Sequence, residues 1–151
     1  MSHDTSRPMI SIVNGPNLNL LGERQPLIYG TATLDEHVDA ARGAAAAAGY
    51  EVEHVQSNHE GVLIDAIQAA RATSVAIIVN AAAFTHSSWG IADALACFDG
   101  LVVEVHISNP WARETWRHTS VVSPVADVAI AGAGGHGYVL AVEAVAHQLT
   151  P

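Results

Sequence analysis

The chain contains no lysine, and all six of its basic residues are arginines. Lysine supplies the amine of a Schiff base and the cation of a P-loop, so the sequence excludes both kinds of site. The 151 residues include one cysteine, Cys97, which rules out an internal disulfide framework and suits a reducing cytoplasm. Because its neighbours are apolar, we expect Cys97 to be a buried small hydrophobe.

Charge is scarce and mostly negative. Charged residues make up 14% of the chain and its formal net charge is −9, which argues against nucleic acid and anionic membranes as partners. No apolar run approaches the roughly 20 residues that span a bilayer, and the first eight residues lack the apolar core of a signal peptide. We therefore expect a soluble cytoplasmic protein, with residues 1–8 as a flexible tail and residues 9–151 as one domain.

Five short runs rich in valine and isoleucine alternate with helical patterns. Several runs are continuously apolar, as in strands buried on both faces of a parallel sheet. Apolar residues at helical spacing begin at Leu34 and again at Tyr138. The first of these patterns ends in an alanine run, residues 44–48, and the Gly49 that follows it is typical of a helix C-cap. The pattern predicts an α/β fold of the doubly wound type with a five-stranded parallel sheet. The predicted strands are Met9–Val13, Glu51–Gln56, Val75–Val79, Leu101–Ile107 and Val125–Ala131.

Polar side chains follow the predicted strands, where ligands bind in folds of this type. These residues include Asn14, Asn17, Ser57, Asn58, Asn80, His86, Glu104, His106, Ser108, Arg113 and Arg117. Since the carboxyl ends of parallel strands share one edge of the sheet, that edge is the candidate site.

A glycine-rich turn, residues 132–137, matches the dinucleotide-binding pattern G-x-G-x-x-G. That fingerprint needs a further strand with an acidic residue about 20 positions on, whereas only 14 residues remain here. We therefore reject a dinucleotide site. A phospho-receiver is also rejected, because it needs acids after the first strand and a late lysine. A flavin-binding module stays open, on fold analogy alone.

Glu104 and His106 have the spacing that places both side chains on one face of a strand. They could ligate a metal, or Glu104 could fix the tautomer of His106. No second pair at ligand spacing supports a zinc site, so we favour acid–base chemistry over a metal. Other histidines, such as His37 and His54, are expected to be surface or hydrogen-bonded side chains without a catalytic role.

Three arginines fall at the candidate edge: Arg24, Arg113 and Arg117. In so acidic a chain they indicate an anionic substrate or transition state, and the alternative is ion pairing at the rim with Glu23 and Glu114.

Tyr29 lies five residues after Arg24. Cations within about 4–6 Å favour the ionised form of a phenol. A Tyr29 phenolate facing His106 would provide a base and an acid, which is the equipment for removing a proton α to a carbonyl and expelling a hydroxyl.

Five co-linear blocks of sequence resemble the type II 3-dehydroquinate dehydratases. The blocks are NGPNLNLLGERQPLIYG (14–30), QSNHEGVLIDAI (56–67), NAAAFTHSS (80–88), VEVHISNPWARETWRHTS (103–120) and GAGGHGYVLAV (132–142). The resemblance implies a flavodoxin-like fold, reversible dehydration of 3-dehydroquinate to 3-dehydroshikimate without metal or cofactor, and a homododecamer of four trimers.

The resemblance also implies a role for each matching residue. Tyr29 would be the base that takes the C2 proton, and His106, oriented by Glu104, would protonate the departing C1 hydroxyl. The residues expected to stabilise the phenolate and the enolate are Arg24, Arg113 and Asn17, the last through a water. The residues expected to bind substrate are Asn80 with the amides of Ile107 and Ser108, His86 and Arg117 on the ring hydroxyls, and Asp93 in a neighbouring subunit's site.

Several positions depart from the family pattern. Ala82 and Ala83 stand where glycine-containing pairs are usual, which predicts a stiffer loop. Ala92 replaces a common arginine, and Trp89 and Trp111 are unusual, with Trp111 expected to pack at a subunit contact. Two alternatives therefore stay open: a related dehydratase for another cyclic hydroxy-ketone acid, and a non-catalytic flavodoxin-like binding module.

Overall fold

A single parallel β-sheet of five strands organises the chain, in the computed structural model that describes residues 6–150. The strands are β1 (Met9–Asn14), β2 (Glu51–Gln56), β3 (Ser74–Asn80), β4 (Leu101–His106) and β5 (Val128–Ala131). Their order is β2-β1-β3-β4-β5, and every neighbouring pair is parallel. This is the flavodoxin-like doubly wound order, so the predicted fold class is confirmed.

Helices cover both faces of the sheet. They are α1 (Pro26–Tyr29), α2 (Leu34–Ala48), α3 (Glu60–Thr73), α4 (Trp89–Ala96) and α5 (His136–Leu149). Helices α2 and α5 pack on one face, where Ile10, Ile12 and Tyr138 are buried together. Helices α3 and α4 pack on the opposite face, around Val13 and Leu63. Burial on both sides explains why the strands read as continuous apolar runs.

Helix α2 begins and ends as its sequence predicts. Thr33 caps its first turn in a reciprocal capping box with Glu36. Gly49 ends it with φ 90°, the left-handed conformation that favours glycine. Of the alanine run before Gly49, Ala45 is fully buried, whereas Ala46, Ala47 and Ala48 are exposed.

The structure corrects two predictions. The fifth strand begins at Val128, not Val125, because residues Ser123–Val125 form a 3-10 turn. Cys97 is exposed and not buried, because it lies just beyond the last residue of α4, outside the buried face of that helix. Of the proposed tail, residues 1–5 lie outside the described part, and residues 6–8 are exposed. No helix between residues 6 and 150 is long and apolar enough to cross a membrane.

Candidate active site

A cavity of about 210 Å³ opens at the carboxyl edge of the sheet, where the sequence places the site. Among the predicted site residues, those that line it are Asn17, Arg24, Tyr29, Asn80, His86, His106, Ile107, Ser108, Arg113 and Arg117. These residues come from three separate stretches of the chain, 17–29, 80–86 and 106–117. The fold therefore brings them together, as the shared edge of parallel strands requires.

Two guanidinium groups flank the phenol of Tyr29, the last residue of α1. Arg113 donates a hydrogen bond of 2.7 Å from Nη1 to the Tyr29 hydroxyl. The Arg24 guanidinium carbon lies 4.7 Å from the ring centroid, and that of Arg113 lies 5.1 Å from it. The phenol oxygen of Tyr29 therefore has one guanidinium hydrogen-bonded to it, and its ring has a cation on either side.

Glu104 and His106 form a hydrogen-bonded carboxylate–imidazole pair at the cavity. The carboxylate is 1% exposed, and its Oε2 lies 3.0 Å from His106 Nε2. Ser120 donates a hydrogen bond of 2.9 Å to the same oxygen, and Ser123 donates to Oε1. Burial raises the pKa of Glu104, but the hydrogen bonds from His106 and the two serines outweigh it and hold that pKa below its ordinary value.

This geometry fixes the tautomer of His106. An ionised Glu104 only accepts hydrogen bonds, so Nε2 of His106 carries a proton directed at the carboxylate. Nδ1 is then the nitrogen left to exchange a proton with a ligand. An imidazole whose orientation and tautomer are set by a carboxylate is suited to general acid–base chemistry.

His86 and Arg117 form a second polar wall of the cavity. His86 Nδ1 lies 2.7 Å from the carbonyl oxygen of Thr119, so Nδ1 donates and Nε2 can accept a hydrogen bond from a hydroxyl. Burial lowers the pKa of His86, although the Thr119 carbonyl acts in the opposite direction. Arg117 lies 4.0 Å over the ring of Trp116, which also meets His86 edge to face.

The alternative of rim ion pairs is realised in part. Arg117 Nε lies 2.7 Å from Glu114, and Arg113 Nε lies 3.7 Å from the same carboxylate. Arg113 still reaches Tyr29 with Nη1, so its ion pair and its contact with the phenol coexist. Glu114 is exposed, and such pairs contribute little free energy of folding.

The remaining predicted residues have distinct positions. Asn80 is 3% exposed, and its Oδ1 accepts a hydrogen bond of 3.2 Å from the Ala82 amide. Asn17 adopts a left-handed backbone conformation with φ 66°, and its backbone N–H donates a hydrogen bond to Asn58 Oδ1. Asp93 is exposed on α4 and does not line the cavity, so its role at a neighbouring subunit's site stays a prediction.

Sequence reasoning missed several residues of the site. Trp116 lines the cavity, whereas Trp111 is 62% exposed and does not. Ser120 and Ser123 hold Glu104 from a loop 16 and 19 residues away. Serine in a loop carries no spacing signal, so only the fold reveals these contacts. Among residues 6–150, no group of three or more histidine, cysteine or acidic side chains could hold a metal ion.

The fold and the cavity together define the class of protein. The protein is a flavodoxin-like α/β domain with a cationic pocket that combines a phenol and a carboxylate–imidazole pair. The family model "Dehydroquinase class II" matches residues 8–146. The chain therefore belongs to the type II dehydroquinase family of enzymes.

Named relatives resemble the chain over nearly its whole length. A protein of Corynebacterium efficiens called 3-dehydroquinate dehydratase 1 is 52% identical, covering 92% of each chain. A catabolic 3-dehydroquinase of Phaeosphaeria nodorum is 48% identical, covering 94% of this chain and 93% of its own. The crystal structure of the type II dehydroquinase from Propionibacterium acnes superposes with a TM-score of 0.89 at 40% identity, over 94% of this chain and 98% of that one.

Proposed function

We propose that this protein catalyses the reversible dehydration of 3-dehydroquinate to 3-dehydroshikimate, within a catalytic domain of residues 9–151. Its relatives carry names with this activity. One observation in the site supports it most directly: the Tyr29 hydroxyl, bonded to Arg113, shares a cavity with the Glu104–His106 pair. In this proposal Tyr29 would serve as the base and His106 as the acid that an elimination requires.

The proposed reaction is an anti elimination through an enolate. Tyr29, as phenolate, takes the C2 proton, and the electron pair of that C–H bond moves toward the ketone oxygen. The enolate then re-forms the ketone and a C1–C2 double bond as the C1 hydroxyl departs. His106, carrying a second proton on Nδ1 in this step, gives that proton to the departing oxygen and is left as the neutral imidazole, so the products are the enone and one water.

The positive wall of the cavity would stabilise the developing charge. Arg24 and Arg113 lie against Tyr29, where they would favour the phenolate and then the enolate. Asn17 would reach the enolate through a water.

The remaining lining residues would bind the substrate. Asn80 and the amides of Ile107 and Ser108 would hold the carboxylate. His86 and Arg117 would bind the ring hydroxyls, since His86 Nε2 is an acceptor and Arg117 a donor.

Assembly and location are parts of the same proposal. Trp89 is 77% exposed and Trp111 62% exposed, and apolar surfaces of this kind suit a homo-oligomer such as the dodecamer of four trimers. Asp93, exposed on α4, would then reach the site of a neighbouring subunit. The exposed thiol of Cys97 suits the reducing cytoplasm.

The test follows the absorbance of the product, a conjugated enone carboxylate, after 3-dehydroquinate is added to the purified protein. Wild type should generate the signal, and Tyr29→Phe should lose it. Tyr50→Phe is the matched control, because Tyr50 is buried in the core and does not line the cavity. If Tyr29→Phe reacts as fast as wild type, Tyr29 is not the base. If folded wild type gives no signal, the substrate is another cyclic hydroxy-ketone acid.

A further inference from the structure

Two asparagines end the central strands side by side. Asn14 closes β1 and Asn80 closes β3, and the two residues are partners in the parallel register. Both side chains lie on the face covered by α5, from which Tyr138 projects. Tyr138 is fully buried, and its hydroxyl bridges the pair: it donates to Asn14 Oδ1 and accepts from Asn80 Nδ2 at 3.1 Å.

These hydrogen bonds form a chain from Ala82 to His54, and one backbone group fixes the direction of each of them. The Ala82 amide is a donor only, so Asn80 Oδ1 must accept and Asn80 Nδ2 must donate. The Tyr138 hydroxyl therefore accepts a hydrogen bond from Asn80 and donates its own to Asn14. At the far end, Asn14 Nδ2 lies 2.9 Å from His54 Nε2, which must then accept.

The hydrogen-bond chain ends in the neutral imidazole of His54, and the phenol of Tyr138 within it is neutral as well. Since Nε2 of His54 accepts, the proton of His54 sits on Nδ1. Burial lowers the pKa of His54, and nearby Arg42 acts in the same direction while Asp35 opposes it. Burial also raises the pKa of Tyr138, although the hydrogen bond from Asn80 opposes it, so this hydroxyl keeps its proton and remains a donor.

We infer that Tyr138 is a positioning residue for substrate binding, because its hydroxyl orients the Asn80 amide at the wall of the cavity. One N–H of Asn80 is bound to Tyr138 and its oxygen to Ala82, so the second N–H is left for a ligand. Without the hydroxyl, the amide loses one of its two fixed contacts. The inference rests on the proposed function, in which Asn80 binds the substrate carboxylate.

The probe for the test is quinate, which has the carboxylate and ring hydroxyls of the proposed substrate but no ketone. Without a ketone its C2 proton is not acidic, so titration calorimetry can measure its dissociation constant without turnover. Binding of quinate with no turnover of 3-dehydroquinate would contradict the proposed reaction while leaving the positioning role testable. Failure of wild type to bind quinate would overturn the carboxylate site and the inference with it.

The decisive measurement is a double-mutant cycle between Tyr138→Phe and Asn80→Ala. We expect Asn80→Ala to weaken quinate binding by about tenfold or more, as loss of a hydrogen bond to a charged group does. Tyr138→Phe should weaken it by roughly fivefold, the scale of a lost neutral hydrogen bond. The double variant should bind no more weakly than Asn80→Ala, because Tyr138 acts through Asn80. Additive losses would overturn the inference.

Kinetics give a second readout that a general loss of packing would not produce. Tyr138→Phe should raise KM for 3-dehydroquinate and leave kcat close to that of wild type, since the carboxylate contact is made in ground and transition states alike. Tyr50→Phe, in the same core cluster, should change neither constant. A fall in kcat with unchanged KM would contradict a role in binding.

A second variant protects the test against misfolding. Tyr138→Phe leaves Asn14 Oδ1 and Asn80 Nδ2 unpaired in the core, which destabilises a protein. If that variant does not fold, Asn14→Ala repeats the cycle from the other side, since it removes the side-chain oxygen that accepts the hydrogen bond of the Tyr138 hydroxyl. Its loss of quinate affinity should likewise vanish in the Asn80→Ala background, and persistence of that loss would overturn the inference.

Discussion

Arg113 Nη1 lies 2.7 Å from the hydroxyl of Tyr29, although 84 residues separate the two in the chain. The same nitrogen lies 3.1 Å from Ser108 Oγ. Arg113 thus joins the loop after β1 to the loop after β4, and it aims one donor at the oxygen of the proposed base. Arg24 approaches the same ring with its guanidinium but without a direct hydrogen bond to the hydroxyl.

Arg113→Gln is therefore expected to lower kcat by about 100-fold, the scale seen when one stabilising donor is removed from a developing anion. The variant should keep its fold, because Arg113 is only partly buried at the cavity wall. Steady-state kinetics with 3-dehydroquinate measure the effect. Arg71→Gln, an exposed arginine on α3, is the matched control and should match wild type. An unchanged kcat in Arg113→Gln would disprove the contribution of this contact.

The carboxylate of Glu104 makes a second prediction, which concerns pH. The folded pKa of Glu104 lies below its ordinary value, because three donors outweigh burial. Its ionised form therefore contributes stability above the unfolded pKa of about 4.3, and this contribution is lost as pH falls through the folded pKa. Urea unfolding between pH 7 and pH 3 should show a steeper loss of free energy in wild type than in Glu104→Gln. Equal slopes would show that Glu104 does not hold its charge in the fold.

The serines that hold Glu104 extend this prediction. Ser120→Ala removes a donor to Oε2, and Ser123→Ala removes the donor to Oε1. Each variant should raise the pH at which this stability is lost, since fewer donors stabilise the carboxylate. Thr115→Ala, on an exposed turn, is a control for hydroxyl loss elsewhere.

The sequence identifies the sheet edge but not the contacts that orient its side chains. Continuous apolar runs predict buried parallel strands, and four of the five lie within a residue or so of their predicted bounds. The fifth begins late because residues 123–125 leave the strand to bring Ser123 to Glu104. Tyr138 is visible in the sequence only as part of an apolar helical stripe, since nothing in its spacing reveals a hydroxyl between two asparagines.

Close backbone approach gives a third prediction, on Gly15. A Cβ at Gly15 would lie 2.3 Å from the carbonyl oxygen of Ala81, a contact with backbone that cannot be relieved by a rotamer change. Gly15→Ala should therefore lower the free energy of unfolding by more than about 2 kcal/mol, as overpacking against fixed atoms does. Gly43→Ala is the matched contrast, because a Cβ there meets nothing within 4 Å on the exposed face of α2. It should raise stability by about 0.5–1 kcal/mol through helix propensity, and urea unfolding of both variants tests the pair.

In the loop after β3, Ala82 adopts a backbone conformation that is unfavourable for a residue with a Cβ. Ala82 has φ 52°, in the left-handed region where a Cβ crowds the backbone. The strain costs about 1–2 kcal/mol, and glycine relieves it at an entropic cost of about 0.5–1 kcal/mol. Ala82→Gly should therefore stabilise the protein by about 0.5 kcal/mol, with a rise in melting temperature of about 1–2 °C.

Ala81→Gly supplies the control for this last prediction. Ala81 has φ −73° and is 2% exposed, so its methyl group is unstrained and packed. Its removal should lower the melting temperature, the opposite of the change expected at Ala82. The predicted stiffness of this loop should also affect substrate binding, because the backbone N–H of Ala82 holds Asn80 Oδ1 in place. If glycine loosens that amide, Ala82→Gly should raise KM for 3-dehydroquinate even as it stabilises the fold. A lower melting temperature in Ala82→Gly would show that the left-handed alanine is not strained.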